Sequence, residues 1–316
     1  MTAGAAAPGT PAGRRGALTW LSVVVGVGVL VLGAWVVAAR WDEVGPALAT
    51  IGAGPSVLAL GLTLVGVLAT GECWRVLLAG LGGRPAPSVA HRVFYVTQAG
   101  KYVPGSLWPV LAQAALARRY GVGRATVVTA STLFLLLHTV TGVVVGVVAL
   151  GPTAAGSWGR LLYPVALAGL LVLLPPVLGR LLGLLARSGR VRPGTPPSWG
   201  ATARATALMA LAWAAYGAAT WVLLVPLSPG TADAALARTA VGAYALAWVV
   251  GFLAVAAPAG VGAREAVLVA VLQPGVGLGG ALSVALVSRV VLTVADLGLA
   301  AASSGVLGRR GTGTAP

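Results

Sequence analysis

The chain has 316 residues, of which 58% are hydrophobic and only 9% are charged, and its mean hydropathy is +0.94. Soluble domains carry about 25% charged residues, so this chain has too little polar surface to cover a water-soluble globule, and we predict an integral membrane protein. Its formal charge is +15. Because no basic run is interleaved with aromatic residues, we expect this charge to set the membrane topology and not to bind nucleic acid.

Long apolar runs predict six full membrane spans. Each run exceeds the roughly 20 residues that a helix needs to cross a bilayer. The predicted spans are 17–39, 55–79, 125–150, 161–185, 204–226 and 279–303. They form one predicted transmembrane domain, 17–305. Residues 1–16, rich in Ala, Gly and Pro, are predicted to be a disordered cytoplasmic tail, and 306–316 a second cytoplasmic tail.

Two further apolar stretches, 90–117 and 239–274, are interrupted by residues that end helices. Proline removes one helical hydrogen bond and crowds the preceding turn, whereas glycine lets the backbone turn sharply. Each stretch is therefore predicted to return to its own side of the membrane, as a re-entrant hairpin or as a pair of spans. The residues predicted to make the breaks are Pro104, Gly105, Pro258, Gly260 and Gly262.

The two broken stretches also predict an internal repeat. Their prolines are 154 residues apart (104 to 258), and the spans that follow are offset by the same distance. The order span, broken stretch, span thus occurs twice, over about 55–150 and 204–303. The first half starts outside and the second starts inside, so the halves are predicted to be inverted, which is typical of transporters. The predicted fold is an all-α, polytopic membrane helix bundle with an inverted repeat and two broken, re-entrant helical hairpins.

The charged residues inside apolar segments are the candidate functional residues. A charge at the bilayer centre costs about 2.5–3.5 kcal/mol on insertion scales, so each one needs a partner or a ligand. Lys101 lies just before the first break and Arg264 just after the second. A basic group beside the free N–H groups of a helix end favours phosphate, so we expect both to line one cavity that binds lipid. The other candidate lipid-binding residues are Glu265, Tyr102, Gln98, Glu72, Arg75, Arg289 and Asp296.

Two pairs of these candidates could instead neutralise each other. Glu72 and Arg75 lie three residues apart, and Arg289 and Asp296 lie seven apart, hence on one helix face. Such pairs would only fix helix packing, and the first pair could also reach the membrane interface by snorkelling. From the sequence these alternatives stay open.

The sequence holds no recognisable catalytic or metal-binding motif. It has no metal-ligand spacing, no Gly-x-Ser-x-Gly nucleophile elbow and no Walker-type phosphate loop. We therefore expect no enzyme activity, no metal and no cofactor.

Two segments carry a resemblance to a known family. They read GKYVPGSLWPVLAQAALARRYGV (100–122) and GFLAVAAPAGVGAREAVLVAVL (251–272). They resemble the membrane region of lysylphosphatidylglycerol synthases and the stand-alone, flippase-like proteins of that superfamily, over about residues 17–305. The Ala-, Gly- and Arg-rich composition is typical of a high-GC bacterium such as an actinobacterium.

The resemblance implies lipid movement. In full-length synthases a separate soluble domain makes the aminoacylated lipid. Here the longest hydrophilic stretch, around 186–203, is shorter than the roughly 50 residues of a small domain, so we do not expect aminoacyl transfer. Expected instead is a protein that moves or binds a phospholipid or a polyprenyl-phosphate-linked lipid. The alternative is a non-transporting scaffold or partner subunit for a glycosyltransferase or another lipid-modifying enzyme. The expected partners are membrane lipids.

The distribution of basic residues generates a test of topology. Arginines concentrate in both tails and in the predicted loops around 80–124 and 186–203. Cytoplasmic loops carry such an excess, so both termini are predicted to be cytoplasmic in a bacterial plasma membrane. Tags at the two termini should be protected in intact cells, and a tag in the 151–160 loop should be labelled. Labelling of the termini from outside would reverse the orientation.

Overall fold

The computed structural model describes residues 28, 31–102, 108–151, 156–187, 197–230, 232–254 and 260–304. Within these residues the chain is all helical and contains no strand, which confirms the predicted all-α class. Three predicted break residues, Pro104, Gly105 and Pro258, lie outside the described residues, as do both predicted tails and most of the first predicted span.

We number the helices in chain order after a helical stretch at residues 31–39. They are α1 (Trp41–Ile51), α2 (Ala53–Gly80), α3 (Pro87–Gln98), α4 (Trp108–Ala117), α5 (Arg124–Leu150), α6 (Gly156–Val172), α7 (Pro175–Arg187), α8 (Trp199–Leu224), α9 (Ala234–Leu253) and α10 (Ala263–Ser304). Short 3₁₀ turns follow three of them, at Ala99–Tyr102, Arg118–Tyr120 and Val225–Leu227.

Among the described helices, five are long and apolar enough to cross a membrane, namely α2, α5, α8, α9 and α10. This confirms a multi-pass membrane protein. Helix α10 has 42 residues, but Gly277 interrupts it with a non-helical backbone of φ 72°. Only glycine adopts that conformation readily, so the interruption divides α10 shortly before the predicted span 279–303.

The prediction of one continuous span over 161–185 is wrong. Helix α6 ends at Val172, a turn follows, and α7 begins at Pro175. Two consecutive prolines stand at the start of α7, where their missing N–H groups are not needed. Proline also disfavours a helical residue before it, so an unbroken run of apolar residues does not guarantee an unbroken helix.

Neither of the two predicted broken stretches forms one continuous helix, and the helices on either side of the two interruptions differ in length. In the first, α3 has 12 residues and α4 has 10, and the two helices contact each other. Both are shorter than the roughly 20 residues that a helix needs to cross a bilayer, and whether this stretch is a re-entrant hairpin stays a prediction. In the second, α9 alone has 20 residues and contacts α10.

The helices pack closely where glycines meet large side chains. The most extensive contact joins α2 to α8, and α5 packs along α9. A Cβ atom at Gly66 of α2 would clash with the ring of Tyr216 of α8, and one at Gly146 of α5 would clash with Leu246 of α9. Small residues let membrane helices approach in this way, where lipid supplies little hydrophobic driving force for association.

Helix α1 packs on α10 through backbone contact, which generates a test of this packing. A Cβ atom at Gly279 would lie 2.7 Å from the carbonyl carbon and oxygen of Glu43, and the backbone cannot yield as a flexible side chain can. Gly279→Ala should therefore lower the midpoint of thermal unfolding in detergent. Gly298→Ala in the same helix is the matched control, because nothing lies within 4 Å of its Cβ position. There the higher helix propensity of alanine, about 1 kcal/mol, should leave stability equal or raised. Equal unfolding midpoints for the two variants would contradict this packing.

Candidate functional site

A cavity of about 160 Å³ lies between helices of both predicted halves. As predicted, Lys101 and Arg264 line this one cavity although 163 positions separate them in the chain (101 to 264). The other predicted site residues in its lining are Gln98, Tyr102, Arg289 and Asp296. The structure thus brings six of the nine predicted lipid-binding residues together. Their binding role stays a prediction.

An ion pair between the half-buried Lys101 and the buried Asp296 joins the two halves inside the cavity. The Lys101 Nζ atom lies 2.6 Å from the Asp296 Oδ2 atom, and the Tyr102 hydroxyl donates to the same oxygen at 2.8 Å. Asp296 is only 3% exposed. The pair therefore ties the 3₁₀ turn after α3 to the last helix.

The sequence left open a pairing of Arg289 with Asp296, but in the structure each of the two residues forms its ion pair with another partner. Arg289 Nη1 instead lies 3.3 Å from Glu265 Oε1. Seven residues separate Arg289 from Asp296, which is about 10 Å along a helix axis. Two side chains on the same helix face therefore need not meet. Asp296 pairs with Lys101, and Arg289 pairs with Glu265.

The start of α10 is held by Glu265 and two glycines. The backbone N–H of Gly262 donates to Glu265 Oε2 at 2.6 Å, which is the carboxylate half of a capping box. Gly260 and Gly262 both have positive φ, of 68° and 86°. A Cβ atom at Gly260 would lie 2.7 Å from the backbone of Gly251, so the predicted break glycines allow a turn and a close approach.

Arg264 is a buried cation without a counter-charge. The residue is 4% exposed, and its guanidinium carbon lies 4.6 Å from the centre of the Tyr244 ring. Among the described residues, which include every Asp and Glu of the chain, no carboxylate forms an ion pair with it. Its Nη2 atom has no hydrogen-bond partner in this part of the chain. A bound anion would neutralise the charge of Arg264 and accept a hydrogen bond from its Nη2 atom.

The charges at the cavity do not balance. Three cations line it, Lys101, Arg264 and Arg289, together with one anion, Asp296. Glu265 lies outside the lining but pairs with Arg289. Three positive charges against these two negative ones leave an excess of one positive charge at the cavity.

A comparison with known protein families covers every described residue that lines this cavity. A family model described as the lysylphosphatidylglycerol synthase TM region matches residues 19–299. The chain belongs to this family. A search of curated proteins finds no match.

In this member of the lysylphosphatidylglycerol synthase TM family, two predicted site residues lie elsewhere. Arg75 donates two hydrogen bonds of 2.6 Å to Glu72, and neither residue lines the cavity. This confirms the alternative in which Glu72 and Arg75 neutralise each other. The Glu72 carboxylate also accepts from Arg204 Nη2 at 2.9 Å and lies 3.1 Å from His91 Nε2, so it connects α2, α3 and α8.

Sequence reasoning missed several polar residues of the cavity in this family member. Trp74 Nε1 donates to Ser131 Oγ at 3.0 Å, and Ser131 donates to Gln113 Oε1 at 2.6 Å. His138 also lines the cavity and stacks on Trp248, with 3.7 Å between ring centres. A buried polar group needs a partner, so Ser131 and His138 in a predicted apolar span were the available signals.

The Lys101–Asp296 pair generates a test by double-mutant cycle. Asp296→Asn leaves the half-buried Lys101 without its counter-charge, which should lower the free energy of unfolding by roughly 1–3 kcal/mol, between the values for exposed and fully buried pairs. Lys101→Met should have a similar effect, and the double variant should lose less than the sum.

The control for this cycle is the exposed pair of Arg40 and Glu43, whose side chains are 52% and 44% exposed. Glu43→Gln should change stability by no more than about 1 kcal/mol, because exposed pairs contribute little. Strict additivity of the Lys101 and Asp296 substitutions would show that the two residues do not interact.

Proposed function

We propose that the protein binds the phosphate of a membrane lipid in the central cavity and moves that lipid between the leaflets. The lipid is a phospholipid or a polyprenyl-phosphate-linked lipid, and no covalent bond is made or broken. The observation that carries the proposal is Arg264, a buried guanidinium that lines the cavity and has no carboxylate partner among the described residues.

The chemistry of this arginine favours phosphate. An uncompensated buried charge costs several kcal/mol. The two acids nearest to the cavity, Asp296 and Glu265, pair with Lys101 and Arg289, so a bound anion is the natural counter-charge for Arg264. A guanidinium offers paired N–H donors that match the oxygens of a phosphate. Stacking on Tyr244 holds the guanidinium in one orientation, and Lys101 supplies a second cation in the same lining.

The pattern of helix contacts supports transport over static binding. In the predicted repeat α2 corresponds to α8, α3 to α9 and α5 to the end of α10. Helices α2 and α8 contact each other, α3 contacts α10, and α9 contacts α5. Exchanging the halves maps the α2–α8 contact onto itself and the α3–α10 contact onto the α9–α5 contact, as expected for two repeated halves. Rocking of such halves about a site at their interface is how repeat-based transporters alternate their access.

The test is lipid movement in proteoliposomes. Purified protein should accelerate the exchange of a fluorescent phospholipid or polyprenyl phosphate between leaflets, read as the fraction bleached by an impermeant reductant. Arg264→Gln should slow the exchange at least about tenfold, because a charged hydrogen bond contributes about 1.5–3 kcal/mol. Arg238→Gln is the matched control, since Arg238 is exposed and lies outside the cavity.

The result also separates the proposal from the alternative function. Wild-type protein that leaves all these lipids at the rate of protein-free liposomes would contradict transport and favour a scaffold for a glycosyltransferase or another lipid-modifying enzyme. Equal rates for the Arg264 and Arg238 variants would show that transport does not use this cavity.

A further inference from the structure

We infer that His138 takes up a proton when the lipid phosphate enters the central cavity, so that binding of the lipid and binding of the proton are linked. The inference rests on the proposed function, because it adds a second ligand, the proton, to the binding of the lipid. It is carried by two buried ring nitrogens without a partner and by the charges that share the cavity with them.

His138 is a buried imidazole in which neither ring nitrogen has a hydrogen-bond partner. The residue is 5% exposed, and its Nδ1 and Nε2 atoms both lack a partner in the part of the chain that the structure describes. A neutral imidazole carries one N–H donor, and an imidazolium carries two. Buried polar groups are normally paired, so an unpaired imidazole indicates a ligand that completes it. His138 lines the same cavity as Arg264, where a bound phosphate would supply acceptor oxygens.

The charge of the cavity opposes a proton on His138 until an anion arrives. The cavity already has an excess of one positive charge. An imidazolium would add a second positive charge and a second unmet N–H donor in a buried place. A bound phosphate cancels the existing excess and accepts from the ring, and a nearby opposite charge favours the charged form of an imidazole. The lipid phosphate and the proton therefore favour each other.

The other titratable groups of the cavity ionise far from neutral pH in water. Within the described lining, the turn after α3 contributes Lys101 and Tyr102, α8 contributes Tyr216, α9 contributes Tyr244, and α10 contributes Arg264, Arg289 and Asp296. Helices α2, α4 and α6 also pack on α5, but their described residues add no titratable or charged group to the lining. Phenol, ammonium and guanidinium groups ionise at about pH 10 or above and carboxylates near pH 4, whereas an imidazole does so at about pH 6.5. The imidazole is therefore the group whose charge a ligand can switch most readily.

Aromatic rings from the second half of the chain surround the imidazole and favour its charged form. Trp248 stacks on His138 with 3.7 Å between ring centres and 19° between ring planes, and the Trp213 ring centre lies 4.9 Å away. The face of an indole attracts a positive charge, most strongly where water is excluded. The Trp213 N–H donates to Thr141 Oγ1 at 2.9 Å, so it is already committed to another partner.

The linkage fixes the direction of the pH dependence. The lone pair on the unprotonated ring nitrogen of His138 takes a proton from the solvent, no other bond breaks, and each ring nitrogen then carries an N–H. If the lipid favours proton binding, the proton favours lipid binding by the same factor. The affinity for the lipid should therefore rise as the pH falls and decline as the pH rises.

The experiment counts the protons taken up when the lipid binds. Purified full-length protein in detergent is titrated by calorimetry with short-chain phosphatidylglycerol and with a polyprenyl hexosyl phosphate, in two buffers that differ in their enthalpy of ionisation. Both probes are phosphodiesters, which do not titrate near neutral pH, so a buffer-dependent heat reports protons bound by the protein. Wild-type protein should take up as much as one proton per lipid. It should also bind at least about fivefold more tightly at pH 6 than at pH 8, since coupling between two ligands is typically about 5–150-fold.

Two variants locate the proton. His138→Gln replaces the imidazole by an amide that cannot titrate, so proton uptake should vanish and the affinity should no longer change with pH. His91→Gln is the matched control, because the other histidine of the chain lies outside the cavity lining and glutamine can still hydrogen-bond to Glu72. The control should keep the wild-type proton count. A purely structural role for His138 would lower the unfolding midpoint of the His138→Gln variant but leave its pH dependence.

Each outcome decides between the claims. Wild-type protein that binds lipid without proton uptake, or His138→Gln protein that takes up as many protons as the wild type, would overturn the inference and leave the proposed function standing. The wild-type proton count tests the inference even if the His138→Gln variant does not fold. Failure of the wild type to bind either lipid would overturn both claims.

Discussion

The ion pair between Lys101 and Asp296 is the interaction on which the rest of the site depends. It joins a turn after the first broken stretch to the last helix, in a bundle where acids are scarce. Because Asp296 is committed to Lys101 and Glu265 to Arg289, Arg264 has no protein counter-charge among the described residues. Because acids are scarce, the buried cavity is left with a single excess positive charge. A membrane protein can retain such a charge where a ligand anion neutralises it.

Much of the architecture was predictable because the bilayer restricts the possibilities. Backbone groups in lipid must be satisfied within the segment, so long apolar runs become helices, and the runs that match α2, α5 and α8 were identified from hydropathy alone. The same reasoning failed at Pro175, where an apolar run continues but the helix does not. Hydropathy measures how a segment partitions into lipid, and it carries no information on backbone conformation.

The charged residues of the site were predictable because a charge in an apolar segment is costly, whereas its uncharged polar residues were harder to predict. Lys101 and Arg264 stood out because each needs a reason to lie in an apolar segment, and the structure places both in one cavity. Which acid meets which base was not predictable, since that depends on side-chain reach between helices far apart in the chain. Gln113 could not be predicted as a cavity residue, because an uncharged amide in an apolar segment is inexpensive to place, and its position follows only from the structure.

Membership of the lysylphosphatidylglycerol synthase TM family and an all-helical membrane bundle fit a protein that handles lipid. The proposed function requires the cavity to hold a lipid phosphate against Arg264. The most direct measurement is an experimental structure of the protein in nanodiscs of native lipid. The account predicts a phosphate within hydrogen-bonding distance of the Arg264 guanidinium. A lipid-free cavity in which Arg264 pairs with a protein carboxylate, or headgroups bound only at the separate Glu72 cluster, would contradict it.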